Sequence, residues 1–130
     1  MLFRSLDRRS YLEYDGEDLI VNRRDMIWYW DHYTPDAATR VNPYAAPLRA
    51  ASLAGLPPAY LVTAEHDPLR DEGFAYAERL RESRVPVEHR HFGSQIHAFF
   101  TFTGVLDDAD KAVSDAASAI RSAVDMAGED

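Results

Sequence analysis

Two apolar runs separated by one amphipathic stretch organise the middle of this 130-residue chain. Ala59-Tyr60-Leu61-Val62-Thr63-Ala64 is continuously apolar in character and is bounded by Pro57-Pro58 on one side and Glu65 on the other. Such a run predicts a strand buried on both faces, as in a parallel sheet. From about Asp71 to Arg84, Phe74, Ala77 and Leu80 recur at helical spacing, and Glu78, Arg81 and Glu82 fall on the opposite side. This predicts an amphipathic helix that buries the first three. Val85 to Phe92 reads as a second strand, and its weaker apolar content with Pro86 near its start suits a sheet edge. Strand, helix, strand makes a parallel, right-handed β-α-β unit.

The flanks are read in the same way. Asn22, followed three residues later by Asp25, predicts a capped helix over about 23–33. Met26, Ile27, Trp30 and Tyr33 share one face of it, and Pro35 ends it. Residues 34–58 contain Pro35, Pro43, Pro47, Pro57 and Pro58, which predicts an irregular connection with one helical turn near Ala50–Leu53. A last helix over about 107–124 follows from Ala109, Val113, Ala116, Ile120 and Ala123 at i+3 and i+4 spacing. Residues 1–21 show no clear element: Tyr11, Leu12 and Tyr14 are able to pack, and Asp15-Gly16-Glu17-Asp18 reads as a turn. The length suits one domain, residues 1–130, around one core.

Composition narrows the function classes. The net charge of −8 disfavours a nucleic-acid partner, which would need clustered cations. The densest basic group, Arg4, Arg8 and Arg9, is broken by Asp7 and reads as a solvated face. The absence of cysteine excludes disulfides and thiolate metal sites. No apolar run reaches the roughly twenty residues of a membrane-spanning helix, and Met1-Leu2-Phe3-Arg4 has no apolar stretch behind it. The expectation is a soluble, cytoplasmic protein.

Geometry supplies candidate chemistry. Parallel neighbours end at the same sheet edge, about 4.8 Å apart, where open α/β sheets place their sites. Asp67 follows the first strand there. His97 follows the second strand, in a loop after Gly93-Ser94-Gln95. Asp67 has two readings: an N-cap before Pro68, or a carboxylate that orients an imidazole. His97 likewise reads as a buried polar group among Ile96, Phe99 and Phe100, or as a general base. Asp71 and Glu72 read as helix-start acids. His89 and His91 alternate along one strand face but lack a third ligand, so no metal is expected. His32 and His66 have no visible partner. None of the serines lies in a Gly-x-Ser-x-Gly setting, and Ser94, the one nearest His97 in sequence, is on the wrong loop for a nucleophile elbow. Trp28, Trp30 and Phe99 read first as core and second as the lining of a pocket.

The stretch Leu56-Pro57-Pro58-Ala59-Tyr60-Leu61-Val62-Thr63-Ala64-Glu65-His66-Asp67-Pro68-Leu69-Arg70-Asp71-Glu72-Gly73 resembles the hormone-sensitive-lipase-like branch of the α/β-hydrolases. So do Ala75–Leu80, Ile96-His97-Ala98-Phe99, Arg24–Trp30 and Asn42–Arg49, and the resemblance spans about residues 11–124. It implies the C-terminal part of an α/β-hydrolase fold, with Asp67 as triad acid and His97 as base. It also implies hydrolysis of small acyl esters through an acyl-serine, without a cofactor. The chain differs from that pattern at Ala98, where glycine is usual, at Gly93-Ser94, where Asp-Gly is usual, and at His89, where an apolar residue is usual.

The nucleophile and the Gly-rich oxyanion motif of that family have no counterpart here. The chain is therefore expected to be inactive alone. A sheet of two strands is marginal by itself, and its exposed edge suits self-association or a partner. Three readings follow: the acid- and base-bearing part of an esterase, a non-catalytic interaction module of the same fold, or a truncated gene product.

Overall fold

The computed structural model describes residues 6, 8–36 and 38–127. Arg4 and Asp7 of the basic group, and Ser5, lie outside the described residues. Two compact units are distinguished, one running up to His97 and one from Ala98 onward.

The first unit contains helix α1 (Arg9–Glu13), helix α2 (Arg23–Tyr33), strand β1 (Ala59–His66), helix α3 (Arg70–Glu82) and strand β2 (Val87–Ile96). The strands pair in parallel, which confirms the β-α-β unit, and they form a two-stranded sheet among the described residues. Ala59 to Ala64 pair with Val87 to Phe92; beyond an irregularity the next pair is His66 with Ile96. Strand β2 therefore extends through Gly93-Ser94-Gln95, which the sequence placed in a loop. Strand β1 is not buried on both faces as expected: only Thr63 and Ala64 are buried, and Tyr60, Leu61 and Val62 are half-buried. With one neighbouring strand, its other edge lacks the cover that a central parallel strand has.

Helix α3 ends in a Schellman motif. Val85 N–H donates to the Leu80 carbonyl (2.9 Å) and Arg84 N–H to the Arg81 carbonyl (2.9 Å). Arg84 takes the left-handed conformation at φ 61°, the position that usually carries glycine. The motif brings Leu80 and Val85 together, and with Leu53 they form a core cluster against which Leu61, Tyr76 and Val87 pack. Ala77 and Leu80 are buried as the helical pattern predicts, but Phe74 is 38% exposed. Its ring lies beside the imidazoles of His89 (5.0 Å) and His91 (5.1 Å) instead.

Helix α2 has the predicted capping box: Asn22 accepts from Arg24 N (2.9 Å) and Asp25 N (3.1 Å), and Asp25 accepts from Asn22 N (3.0 Å). Its predicted apolar face is not buried. No residue of α2 is buried, and Tyr33 is 70% exposed. The proline-rich connection holds short 3₁₀ turns at Thr39–Val41 and Pro47–Arg49 rather than a turn at Ala50–Leu53. The turn at Pro47–Arg49 is tied to α3 by Arg79, which donates to the carbonyls of Leu48 and Ala50.

In the second unit a 3₁₀ turn at Phe99–Thr101 precedes helix α4 (Asp107–Ala127). Gly104 N–H donates to Asp110 (2.9 Å) at the start of that helix. Ala109 and Ala112 are buried, whereas Ile120 and Val124 are exposed, so only the first half of the predicted apolar face is covered.

Two substitutions test these contacts. A Cβ at Gly73 would stand 2.6 Å from Thr63 Cγ2. Thr63 cannot swing away, because its hydroxyl is held by His89 and His91. Gly73→Ala is expected to destabilise by about 1–3 kcal/mol despite its better helix propensity. Adding Thr63→Ser, which keeps the hydroxyl and removes the methyl, should restore most of the loss in urea unfolding. Arg84→Gly relieves the left-handed strain and is expected to add up to about 1 kcal/mol by the same measurement.

Candidate active site

Asp67 and His97 are each the first residue after their strand. Because His66 pairs with Ile96, the next positions along the two strands are Asp67 and His97. His97 Nδ1 lies 2.9 Å from Asp67 Oδ2. An ionised carboxylate only accepts, so Nδ1 carries the proton and Nε2 is left as the basic nitrogen. The Asp67 side chain is 13% exposed and that of His97 31%.

The two readings of Asp67 turn out to be compatible, since its oxygens are divided. Oδ1 accepts from Leu69 N–H (2.7 Å) while Oδ2 takes His97. The Asp67 carbonyl accepts from Arg70 N–H (3.0 Å). The helix itself starts at Arg70 with Leu69 as its N-cap, so Asp67 caps the turn before the helix and Pro68 is not its first residue. The carboxylate is fixed at one oxygen and faces the imidazole with the other.

His97 titrates above the ordinary histidine range. Its hydrogen bond to Asp67 is the main cause, aided by the carboxylate's charge and opposed by partial burial. Ala98, directly after it, is in the left-handed region at φ 61°. This is the backbone conformation for which glycine is suited.

A cavity of about 640 Å³ opens beside the pair. Asp67 and His97 line it together with the apolar residues Trp30, Pro47, Leu48, Val62 and Tyr76 and the charged residues Arg8, Arg49, Arg70 and Glu72. Trp30 thus belongs to the pocket lining, whereas Trp28 is exposed and Phe99 is buried.

The remaining sequence candidates have structural employment. Asp71 accepts from Ser10 N–H (2.9 Å) and from Arg70 Nε (3.0 Å). Glu72 accepts from the Tyr11 hydroxyl (3.0 Å). His89 Nε2 and His91 Nδ1 both meet the Thr63 hydroxyl, at 2.8 and 3.0 Å, and His91 Nε2 meets Glu65 (3.1 Å). His66 lies edge-on to Tyr14 at 5.5 Å, and His32 Nδ1 is 2.8 Å from the Trp28 carbonyl.

Sequence reasoning missed α1 and Arg70. Ser10 and Tyr11 are fully buried against the start of α3. Burial, with the charge and hydrogen bond of Glu72, pushes the Tyr11 phenol well up. Arg70 joins Glu65, Asp71, Glu13 and the Tyr14 hydroxyl. The one local hint of α1 is the i,i+4 pair of Arg9 and Glu13 (3.4 Å).

The sequence and the fold are similar to those of known proteins. The family model of the alpha/beta hydrolase fold matches residues 2–101. The chain is 40% identical over 85 residues to the carboxylic ester hydrolase LipN of Mycobacterium tuberculosis, covering 65% of this chain and 23% of that protein. It is 49% identical over 67 residues to an arylesterase of Saccharolobus solfataricus, covering 52% of this chain and 22% of that one. Among solved structures, the carboxylesterase EstE1 from a metagenomic library matches with a TM-score of 0.84 at 35% identity, over 88% of this chain and 39% of that one. A hyperthermophilic esterase of Pyrobaculum calidifontis matches with a TM-score of 0.85 at 37% identity, over 90% and 38%. The chain belongs to the α/β-hydrolases, is similar in part to hormone-sensitive-lipase-like carboxylesterases, and spans less than a quarter of the length of the two sequence relatives.

The pair has a pH signature. His97 holds its proton more tightly folded than unfolded, so the contact adds stability below about pH 6.5 and loses it as pH rises through the folded midpoint. An NMR titration of His97 should give a midpoint above about 6.5, and Asp67→Asn should bring it down toward that value. The stability gap between the native chain and Asp67→Asn should be wider at about pH 5.5 than at about pH 8.5.

Proposed function

We propose that this chain supplies the acid and base of a carboxylic ester hydrolase whose nucleophilic serine lies outside the 130 residues. The observation that carries this is the Asp67–His97 contact beside a cavity with a partly apolar lining, in a chain with esterase relatives that contains no Gly-x-Ser-x-Gly. In this reading His97 Nε2 takes the serine proton as the hydroxyl attacks the acyl carbonyl. The imidazolium, steadied by Asp67, returns the proton to the departing alcohol. Water then repeats the sequence on the acyl-serine, releasing the carboxylic acid. The cavity wall of Trp30, Leu48 and Tyr76 would receive a small acyl group.

The serine-bearing portion would dock where the first unit has apolar and backbone groups to spare. Strand β1 pairs only with β2 among the described residues, which leaves one edge for another strand. Helix α2 exposes Ile27, Trp28, Tyr29 and Tyr33, an apolar face of the kind that marks an interaction site. The proposed site of action is the cytoplasm, where a chain without cysteine loses nothing to reducing conditions. Among the described residues no helix is long and apolar enough to cross a membrane.

Hydrolysis of a p-nitrophenyl acyl ester tests the proposal. The purified chain alone should show no turnover above background. Mixed with a serine-bearing N-terminal portion of a related esterase, it should show turnover that His97→Ala lowers by about 10³-fold or more. Turnover by the chain alone that His97→Ala abolishes would overturn the assignment of the nucleophile. A mixture that associates yet turns over equally well with His97→Ala would overturn the role of His97.

A further inference from the structure

Asp67 is held by a peptide group that is itself held at its other end. The peptide joining Pro68 to Leu69 presents its N–H to Asp67 Oδ1 at 2.7 Å. The carbonyl of the same peptide accepts from the Ser10 hydroxyl at 2.7 Å, in a bond that is buried. Ser10 and Pro68 are both fully buried. The Ser10 hydroxyl oxygen in turn lies 3.4 Å from Asp71 N–H, and Ser10 N–H donates to Asp71 Oδ2 at 2.9 Å. Ser10 therefore bridges the two ends of the turn from Pro68 to Asp71, directly behind the carboxylate that faces His97.

A hydrogen bond to a peptide carbonyl polarises the N–H of the same peptide and strengthens what that N–H donates to. The run from Ser10 hydroxyl to Pro68 carbonyl to Leu69 N–H to Asp67 Oδ1 is such a chain. It also fixes the peptide plane, and with it the direction in which Asp67 offers Oδ2. Partners in the shell behind a reacting group orient that group in this way. The serine sits 58 residues from Pro68 in sequence, so α1 reaches the turn by tertiary packing alone.

We propose that Ser10 is a positioning residue for the triad acid, acting on Asp67 through the Pro68–Leu69 peptide. The inference rests on the reading of Asp67 and His97 as acid and base, but its test reads their contact without any ester. His97 is titrated by NMR in the full chain, in Ser10→Ala, and in Val85→Ala, which loosens the core away from the turn. Ser10→Ala should let the Pro68–Leu69 peptide turn and Asp67 lose its alignment on His97 Nδ1, a loss that outweighs the charge the carboxylate regains from a weaker Leu69 N–H bond, so that proton binding by His97 weakens about threefold, a midpoint about 0.5 lower on the pH scale. It should also move the Leu69 amide resonance. Val85→Ala should leave both in place while lowering the unfolding midpoint.

A Ser10→Ala midpoint equal to that of the native chain overturns the proposal, as does an equal fall in Val85→Ala. A native midpoint at the ordinary histidine value would instead sink the pair itself, and with it the proposed function. Should Ser10→Ala not fold, Ser10→Cys, nearly isosteric and a weaker donor, should shift the midpoint in the same direction, and an unchanged midpoint there overturns the proposal.

Discussion

The register of β1 against β2 decides whether Asp67 and His97 meet at all. From Ala59–Val87 to Ala64–Phe92 the partners are 28 residues apart, whereas His66 and Ile96 are 30 apart. Had the first offset continued, Asp67 would face Gln95. The irregularity advances β2 by two residues and places His97 at the level of Asp67. A shift of two is the smallest that keeps every later side chain on its own face, since side chains alternate with period two. The residues taken up in the step are drawn from Gly93-Ser94-Gln95, where glycine gives the backbone its latitude.

Around that register the first unit is organised to keep the β1–α3 turn still. Ser10 grips the turn through Pro68, Asp71 takes the backbone of α1, and Tyr11 reaches Glu72. Arg70 gathers Glu65, Asp71 and Glu13 about one guanidinium. The Arg70 side chain is largely buried while its acid partners stay partly exposed, which keeps each ion pair individually modest. Their importance is geometric, since they join α1, the end of β1 and the start of α3 at the base of the carboxylate. Arg79 does the same for the cavity wall by holding the Leu48 and Ala50 carbonyls.

Much of this was legible in the sequence where local rules operate. The run Ala59–Ala64 and the Phe74–Leu80 spacing gave β1 and α3, and Asn22 with Asp25 gave the start of α2. Strand order alone places Asp67 and His97 at one edge. What stayed hidden depends on distant residues. Five residues of α1 are too few to show a period, and their hold on the turn comes from partners some sixty positions away. The step in β2 leaves no mark in hydropathy. Periodicity finds the apolar side of α2 and α4 but says nothing of what covers it, and Tyr33 and Ile120 remain exposed.

The hydroxyl of Thr63 imposes a count on the two histidines that flank it. It has one proton to give and meets two imidazole nitrogens, His89 Nε2 and His91 Nδ1. Glu65 can only accept, so a neutral His91 carries its hydrogen on Nε2 and leaves Nδ1 bare. Thr63 must then donate to His91, and His89 must donate to Thr63. The tautomers of the two rings are thus set in series, from His89 through a hydroxyl to a carboxylate, and neither can be exchanged without reversing its neighbour. The two rings of β2 are wired so that the nitrogens they turn toward Thr63 and Glu65 are already committed.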